Sequence, residues 1–254
     1  MTERIRLDTL LVARGLTQTR VRARALVLAG QVRVDGNVFS KPGMTVSTNS
    51  TVTLITPDHP YVSRGGIKLA HALDTFRVSA VGCTALDIGA STGGFTDVLL
   101  KRGAARVVAL DVGHGQLAWK LRQDPRVFVL EGINARGLNP TMLPSGFQHV
   151  DLVTIDVSFI SLKLILKPTP ALLRQGASVI ALIKPQFEAG REEVGKRGLI
   201  TDEAVHQRVV EEVTIAADRV GLSRVDVTPS SITGTTGNQE FFVHLRVRNG
   251  MSSQ

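Results

Sequence analysis

Between Thr19 and Gly30 the apolar residues Val21, Ala25 and Leu28 recur at i, i+4 and i+7. That spacing predicts a helix with those three on its buried stripe. Thr19 is placed to cap its first turn and Gly30 to end it. Past Gly30 the period falls to two, with Val32 and Val34, a turn at Asp35-Gly36, and then Val38. A second short strand pattern covers 52 to 55. Residues 1–56 therefore read as a small α+β module, a helix pair followed by short strands. PDHP at 57 to 60, with proline at both ends, opens a linker over 57–63. The remainder, 64–254, alternates strand and helix. Strands are predicted at 84–88, 106–111, 127–131, 152–156, 178–183, 223–228 and 240–247, with helices such as 95–102 and 202–220 between them. This alternation implies an α/β domain with a mainly parallel sheet covered on both faces. The polar, glycine-spaced stretch 186–200 reads as a long mobile loop.

Composition narrows the function classes. Of 254 residues, 43% are hydrophobic and 20% charged, an ordinary globular balance. Apolar runs such as VIALI at 179–183 fall far short of the roughly 20 residues that a membrane-spanning helix needs. MTERIRLD shows no apolar signal core, and the single cysteine, Cys83, allows no internal disulfide or cysteine-based zinc site. A reducing, cytoplasmic setting and no metal are expected, the six histidines being scattered. Lys and Arg exceed Asp and Glu by eight (30 against 22), which suits a polyanionic partner such as RNA or DNA.

Candidate chemistry begins at DIGASTGGFTD, 87–97, after the strand TALDI. Asp87 closes the strand, Gly89 permits a tight turn, and Gly93 and Gly94 would let a ligand approach the backbone. The spacing is neither G-x-G-x-x-G nor a phosphate-binding GK[ST] loop. It resembles motif I of class I S-adenosylmethionine-dependent methyltransferases. That resemblance implies a donor site built from Asp87, Gly89, Ala90, Ser91, Thr92, Gly93 and Phe95. Asp111 and Val112 at the end of the second strand would meet the ribose, since an acid there can take a hydroxyl pair. Asn134 would meet the adenine, and Asp156 would close the site.

Four polar residues fall at predicted element ends on one sheet edge. Asp156 follows the fourth strand, Lys184 follows the fifth, Glu240 opens the last, and Lys68 lies on the helix before the first. In the methyltransferase fold the last strand runs antiparallel, which brings Glu240 to the carboxyl edge where ligands bind. The set resembles the Lys-Asp-Lys-Glu tetrad of ribose 2′-O-methyltransferases. A ribose hydroxyl must lose its proton as it attacks a methyl group. Lys184 could take that proton, or stay charged and stabilise the developing oxyanion. Asp156 and Glu240 would orient the two lysines. Two absences support oxygen as the target. DVSF at 156–159 replaces the [DN]-P-P-[YF] of amino-group methyltransferases, and Cys83 lies before the first strand, away from a carbon-5 nucleophile's place.

Residues 6–46 closely resemble the S4 RNA-binding domain, carried by RLD at 6–8, Thr19-Arg20, GQVRVDG at 30–36 and Lys41-Pro42. Arg6, Arg20, Arg22, Arg24 and Lys41, with Arg64 beyond the linker, are the candidate RNA contacts, because guanidinium and ammonium groups pair with phosphate. Over nearly its whole length the chain resembles the TlyA family of S4-containing rRNA 2′-O-methyltransferases, also called haemolysins. YVSRGGIKL, DVGHGQLAW, DPRVFVLEGINARGL, DLVTIDVSFISL, IKPQFEAG and GNQEFFVHL carry the match. It implies S-adenosylmethionine as donor, a seven-stranded FtsJ-like catalytic domain, and a cytidine ribose in 16S and/or 23S rRNA of the 30S or 50S subunit as target. Altered sensitivity to capreomycin-type antibiotics would be a consequence. Members differ at the chain ends, and RNGMSSQ follows soon after the last strand, which leaves one or both subunits open. A non-catalytic ribosome-assembly factor and a membrane-lytic haemolysin are the competing readings. The complete tetrad weighs against the first, and the lack of apolar spans against the second.

Overall fold

The computed structural model describes residues 3–17, 19–55 and 59–248. The chain divides into two compact units, 1–60 and 61–254. The predicted linker start at Pro57-Asp58 and the tail 249–254 lie outside the described residues. Residues 61–63, assigned by sequence to the linker, pack into the second unit: the Val62 amide donates to Asp97 Oδ2 at 2.9 Å, and Tyr61 lies against that unit's core.

In the first unit β1 (Arg4–Arg6) runs into α1 (Leu7–Ala13), followed by α2 (Arg20–Leu28). Four short strands follow, β2 (Val32–Val34), β3 (Asn37–Phe39), β4 (Thr45–Ser47) and β5 (Val52–Leu54). β1 pairs with β4, and β2 is flanked by β3 and β5. Thr19 caps α2 through the Arg22 amide at 3.2 Å, and Gly30 turns the chain at φ +66°. The buried stripe differs from the sequence reading. Ala23 and Val27 are fully buried, while Val21 is 79% and Leu28 64% exposed. The phase of this nine-residue helix is set by α1, whose Leu7, Leu10 and Leu11 share a core with the small Ala23 and with Val27. Three arginines alternate with apolar residues here, so periodicity alone permits more than one stripe.

The second unit opens with α3 (Gly65–Thr75), β6 (Thr84–Ile88), α4 (Gly94–Lys101) and β7 (Arg106–Asp111). It continues through α5 (Trp119–Arg122), β8 (Val127–Glu131), β9 (Val150–Ile155), α6 (Leu162–Leu166) and β10 (Leu173–Ile183). α7 (Glu203–Arg219), β11 (Leu222–Pro229) and β12 (Phe241–Val247) complete it. The seven strands lie in the order β11-β12-β10-β9-β6-β7-β8, and β12 is antiparallel to both neighbours. Side-chain alternation divides the sheet between two cores. Val108, Leu110, Val153 and Ile155 face α6 and α7, while Val107, Ala109 and Leu152 face α3 and α4. Near-continuous apolar strands are what burial on both faces requires.

The stretch 186–200 is not a bare loop. It carries three short 3₁₀ turns, Pro185–Phe187, Arg191–Glu193 and Lys196–Gly198. The buried Asn238 side chain ties it down, accepting from the Ile200 amide at 2.9 Å and donating to the Gly198 carbonyl at 2.7 Å. Polar composition concealed this, because the anchor comes from a residue 38 positions away.

Two buried titratable groups act on acid stability with opposite signs. His244, 2% exposed beside Ser178 Oγ at 3.0 Å, is pushed down to about 4 by burial from an ordinary value near 6.5. Between those values the unfolded chain takes up a proton that the folded chain does not, so His244 costs stability as pH falls from 6.5 towards 4. Asp87 is wholly buried, and burial lifts its carboxyl from 3.8 to about 6. There the folded chain holds the extra proton, so Asp87 adds stability as pH falls from 6 towards 3.8. Each contribution is on the order of a few kcal/mol. In urea titrations between pH 7 and 4, His244→Gln is expected to flatten the acid-side loss of stability relative to wild type, and Asp87→Asn to steepen it.

Gly89 sits at φ +83°, and a Cβ there would lie 2.3 Å from the Asp156 carbonyl oxygen. Gly115, at φ +69°, has nothing within 4 Å. Gly89→Ala is therefore expected to lose at least about 2 kcal/mol through overpacking on rigid backbone, and Gly115→Ala about 1 kcal/mol from the dihedral alone. Urea midpoints for the two variants check the ranking.

Candidate active site

The carboxyl ends of β6, β9 and β10 and the start of β12 meet at one edge of the sheet. β12 pairs antiparallel with β10, Phe241 opposite Ile183, so Glu240 and Lys184 emerge side by side from neighbouring strands. Asp156 follows β9, with its amide donating to the Ile88 carbonyl at 2.9 Å. α3 brings Lys68 to the same place. The four side chains line one cleft of about 450 Å³, together with Ser63, Arg64, Ser158 and Thr235.

Within that cleft the four residues form two ion pairs. Lys68 Nζ pairs with Glu240 Oε2, both nearly buried. Lys184 Nζ lies 2.5 Å from Asp156 Oδ1 and also donates to Ser158 Oγ at 2.9 Å. Pairing is what allows ammonium and carboxylate groups to sit this deep, because an unpaired charge would pay a heavy desolvation penalty. The result is two positively charged heads held in fixed positions at the wall of a solvent-reachable cleft.

A second cleft, about 430 Å³, adjoins the first through shared Gly89, Ser91, Asp156 and Ser158. Asp111, Val112, Gln116, Ile133, Asn134 and Ile160 line it. Asp111 is oriented by two backbone donors, the Ser91 and Gly113 amides, each at 2.7 Å. A carboxylate has about four lone-pair sites, so this one retains acceptor capacity for hydroxyl groups. The apolar Val112, Ile133 and Ile160 beside it suit the faces of a flat heterocycle. The Asn134 amide oxygen accepts from the Arg136 amide at 3.0 Å, which leaves its NH₂ as the side-chain donor for a ligand. These residues fit a nucleoside-bearing donor. Ala90, Thr92 and Phe95 line the first cleft instead.

Two residues assigned by sequence to donor contacts have other partners. Asp87 lies behind the loop, accepting from Thr96 Oγ1 at 2.6 Å and Thr154 Oγ1 at 2.9 Å. It joins α4 and β9 to β6 and lines neither cleft. Gly93 is needed for packing: at φ +93°, its Cβ would meet Leu121 Cδ1 at 2.3 Å. A Cβ on Gly94 would likewise strike Ser63 Oγ at 2.2 Å. These two glycines admit close approach by neighbouring protein atoms, and Gly94 also lines the first cleft.

The basic residues also separate. Arg6 makes two bonds to the buried Asp8, at 3.1 and 2.8 Å, and Arg20 a third at 3.3 Å. Those hydrogen bonds, led by that of Arg6, hold the Asp8 carboxyl down at about 2. RLD is thus an internal clamp as well as a source of positive charge. Arg22 lies 3.4 Å from His59 Nε2. Arg24 and Lys41 are exposed. Arg64 lies on the wall of the first cleft, its Nη2 donating to the Thr233 carbonyl at 3.1 Å. Sequence reasoning missed Ser158, Thr233 and Thr235. Ser158 had a signal, standing two positions after Asp156. The threonines lie in the glycine-spaced loop SSITGTTGN before Glu240, whose fold depends on contacts remote in sequence.

Comparison with known proteins agrees with this architecture. The FtsJ-like methyltransferase family matches residues 61–247, and the S4 domain matches residues 5–52. The 16S/23S rRNA (cytidine-2′-O)-methyltransferase TlyA of Mycobacterium tuberculosis is 46% identical over 249 residues, covering 98% of this chain and 92% of that protein. Hemolysin A of Brachyspira hyodysenteriae is 39% identical over 244 residues, covering 95% and 99%. Among solved structures, a candidate hemolysin from Streptococcus thermophilus superposes with a TM-score of 0.76 at 43% identity, covering 98% of this chain and 90% of that one. No described helix is long and apolar enough to cross a membrane, and no group of three or more His, Cys, Asp or Glu among the described residues could hold a metal ion. With both domains matched and relatives aligned over almost the full length, the chain belongs to the TlyA family, an S4 domain joined to an FtsJ-like S-adenosylmethionine-dependent methyltransferase.

Proposed function

We propose that this chain methylates the ribose 2′-hydroxyl of a cytidine in 16S and/or 23S rRNA, with S-adenosylmethionine as donor. The observation that carries the proposal is the convergence of Lys68–Glu240 and Lys184–Asp156 on one cleft that adjoins a second, lined by Asp111, Asn134 and apolar side chains. S-adenosylmethionine, when bound, supplies an electrophilic sulfonium methyl. Asp111, Asn134 and the backbone of the 89–92 loop would hold it. Lys184 faces the shared wall and, once its ammonium has released a proton to solvent, takes the hydroxyl proton and becomes the ammonium again, held in line by Asp156 and Ser158. Lys68, fixed by Glu240, adds positive charge beside the oxygen as it loses its proton. The target ribose must leave the helical stack to reach these groups, as targets of base-modifying enzymes do. Loss of the modification would then alter sensitivity to capreomycin-type antibiotics, and the working compartment would be the cytoplasm.

The test is methyl transfer from radiolabelled donor to purified 30S and 50S subunits. Lys184→Ala is expected to lose at least about a hundredfold in rate with donor affinity retained. Lys184→Arg, permanently charged, should not restore it. Full activity in either variant would overturn the assignment of the proton to Lys184. Donor binding without turnover by wild type would favour the assembly-factor reading.

For RNA contacts, Arg24 and Lys41 are the exposed candidates free of the Asp8 clamp. Arg24→Glu with Lys41→Glu is expected to weaken rRNA binding and to lower the salt dependence by about one logarithmic unit per lost phosphate contact, with the melting point unchanged. Arg6→Ala should also lower the melting point, because it strips two bonds from buried Asp8. Binding isotherms at several salt concentrations, with a melt for each variant, distinguish the two classes.

A further inference from the structure

Glu188 is a buried carboxylate that the proposed chemistry does not use. Its side chain is 2% exposed, and burial pushes its carboxyl above the ordinary glutamate range. It lies four residues after Lys184, at the end of a closed turn in which the Phe187 amide donates to the Lys184 carbonyl and the Glu188 and Ala189 amides donate to that of Pro185. Its carboxylate reaches across to the segment that follows Asp156. There it accepts from Ser161 Oγ at 2.7 Å and from the Leu162 amide at 2.5 Å. Lys163 Nζ stands 3.9 Å away and pairs at 2.9 Å with Glu212 of α7.

The two segments so joined carry the three groups that meet at the cleft wall, Asp156 and Ser158 on one and Lys184 on the other. Between Asp156 and the anchor at Ser161 the backbone is strained. Phe159 has φ +62°, an outlier for a bulky residue, and is 91% exposed, its ring 5.1 Å from that of Phe187. Left alone, that segment has a lower-energy conformation available, and Ser158 would move with it. Capping α6 does not by itself require a buried carboxylate, because Ser161 already accepts from the Lys163 amide at 3.3 Å. Burying a carboxylate is costly, and here the return is a fixed distance between two loops.

We propose that Glu188 is a positioning residue for methyl transfer. By clamping the 156–162 segment to the turn after Lys184, it keeps Asp156 Oδ1 and Ser158 Oγ on the Lys184 ammonium. The assignment rests on the catalytic reading given above.

The experiment is steady-state methyl transfer by the full chain to ribosomal subunits, with donor affinity and thermal unfolding measured for each variant. Glu188→Ala is expected to lower kcat at least about tenfold, with KM for RNA and donor affinity within about twofold of wild type. Glu188→Gln should restore most of kcat, since its amide oxygen can accept from Leu162 and its NH₂ can donate to Ser161 Oγ. Ser161→Ala removes one bond of the two and should fall between, which keeps the test decisive if Glu188→Ala does not fold. Wild-type kcat in both Glu188→Ala and Ser161→Ala would overturn the assignment. So would a loss that Glu188→Gln does not relieve, or one matched by equal losses in donor affinity and stability. Absence of transfer by the unaltered protein would overturn the catalytic reading and this assignment with it, whereas transfer unimpaired by the variants would overturn the assignment alone.

Discussion

The antiparallel pairing of β12 with β10 is the contact on which the candidate site depends. It places a strand start, rather than a strand end, at the carboxyl edge, and so sets Glu240 beside Lys184. Without it Glu240 would have no reason to approach Lys68, and Lys68 on α3 would lose its carboxylate partner. The pairing is well supported because β12 is an interior strand: it bonds on both sides, to β10 and β11, and its Phe242, Val243 and Leu245 are fully buried. The sheet is thus a scaffold that holds four charges at a water-reachable edge, while the hydrophobic burial on its two faces offsets the cost of holding them there.

Around that edge the glycine loop and its neighbours are organised by close packing of protein on protein. Gly89 lets β9 leave the sheet against the turn, Gly93 admits Leu121, and Asp87 fastens the turn from behind through two threonine hydroxyls. Ser91 and Asp111 then line the cleft on the other side of the loop. The same economy appears in the first unit, where Asp8 gathers Arg6 and Arg20. Fixed guanidinium groups lose less freedom on meeting a phosphate than mobile ones, so an internal clamp and an RNA-facing surface are compatible uses of the same residues.

Much of this was legible in the residues alone. All seven strands of the large sheet, with helices α4 and α7, were readable from apolar runs separated by glycine and polar turns. So was the placement of Lys68, Asp156, Lys184 and Glu240 at one edge. Strand ends are local signals: an apolar run stops and a charged residue follows. Helix phase was not legible in α2, because nine residues with interleaved arginines offer competing stripes and α1 decides among them. Nor was the anchoring of 186–200, whose polar sequence resembles an unrestrained loop until Asn238 and Glu188 are seen to hold it.

By itself the sequence determined the division into a small basic module and an α/β domain, the alternation of strand and helix along the second, and the kinds of chemistry present at the strand ends. These depend on periodicity and on which residue follows which, both of which are local along the chain. The tertiary structure alone decided which charges pair, since Lys68–Glu240 and Lys184–Asp156 join residues far apart in sequence. It also decided that Asp87 meets the Thr96 and Thr154 hydroxyls, that Gly93 lies against Leu121, and that Ser158 and Glu188 belong to the surroundings of Lys184. Pairing and burial depend on distances set by the whole fold, and no local pattern of residues encodes them.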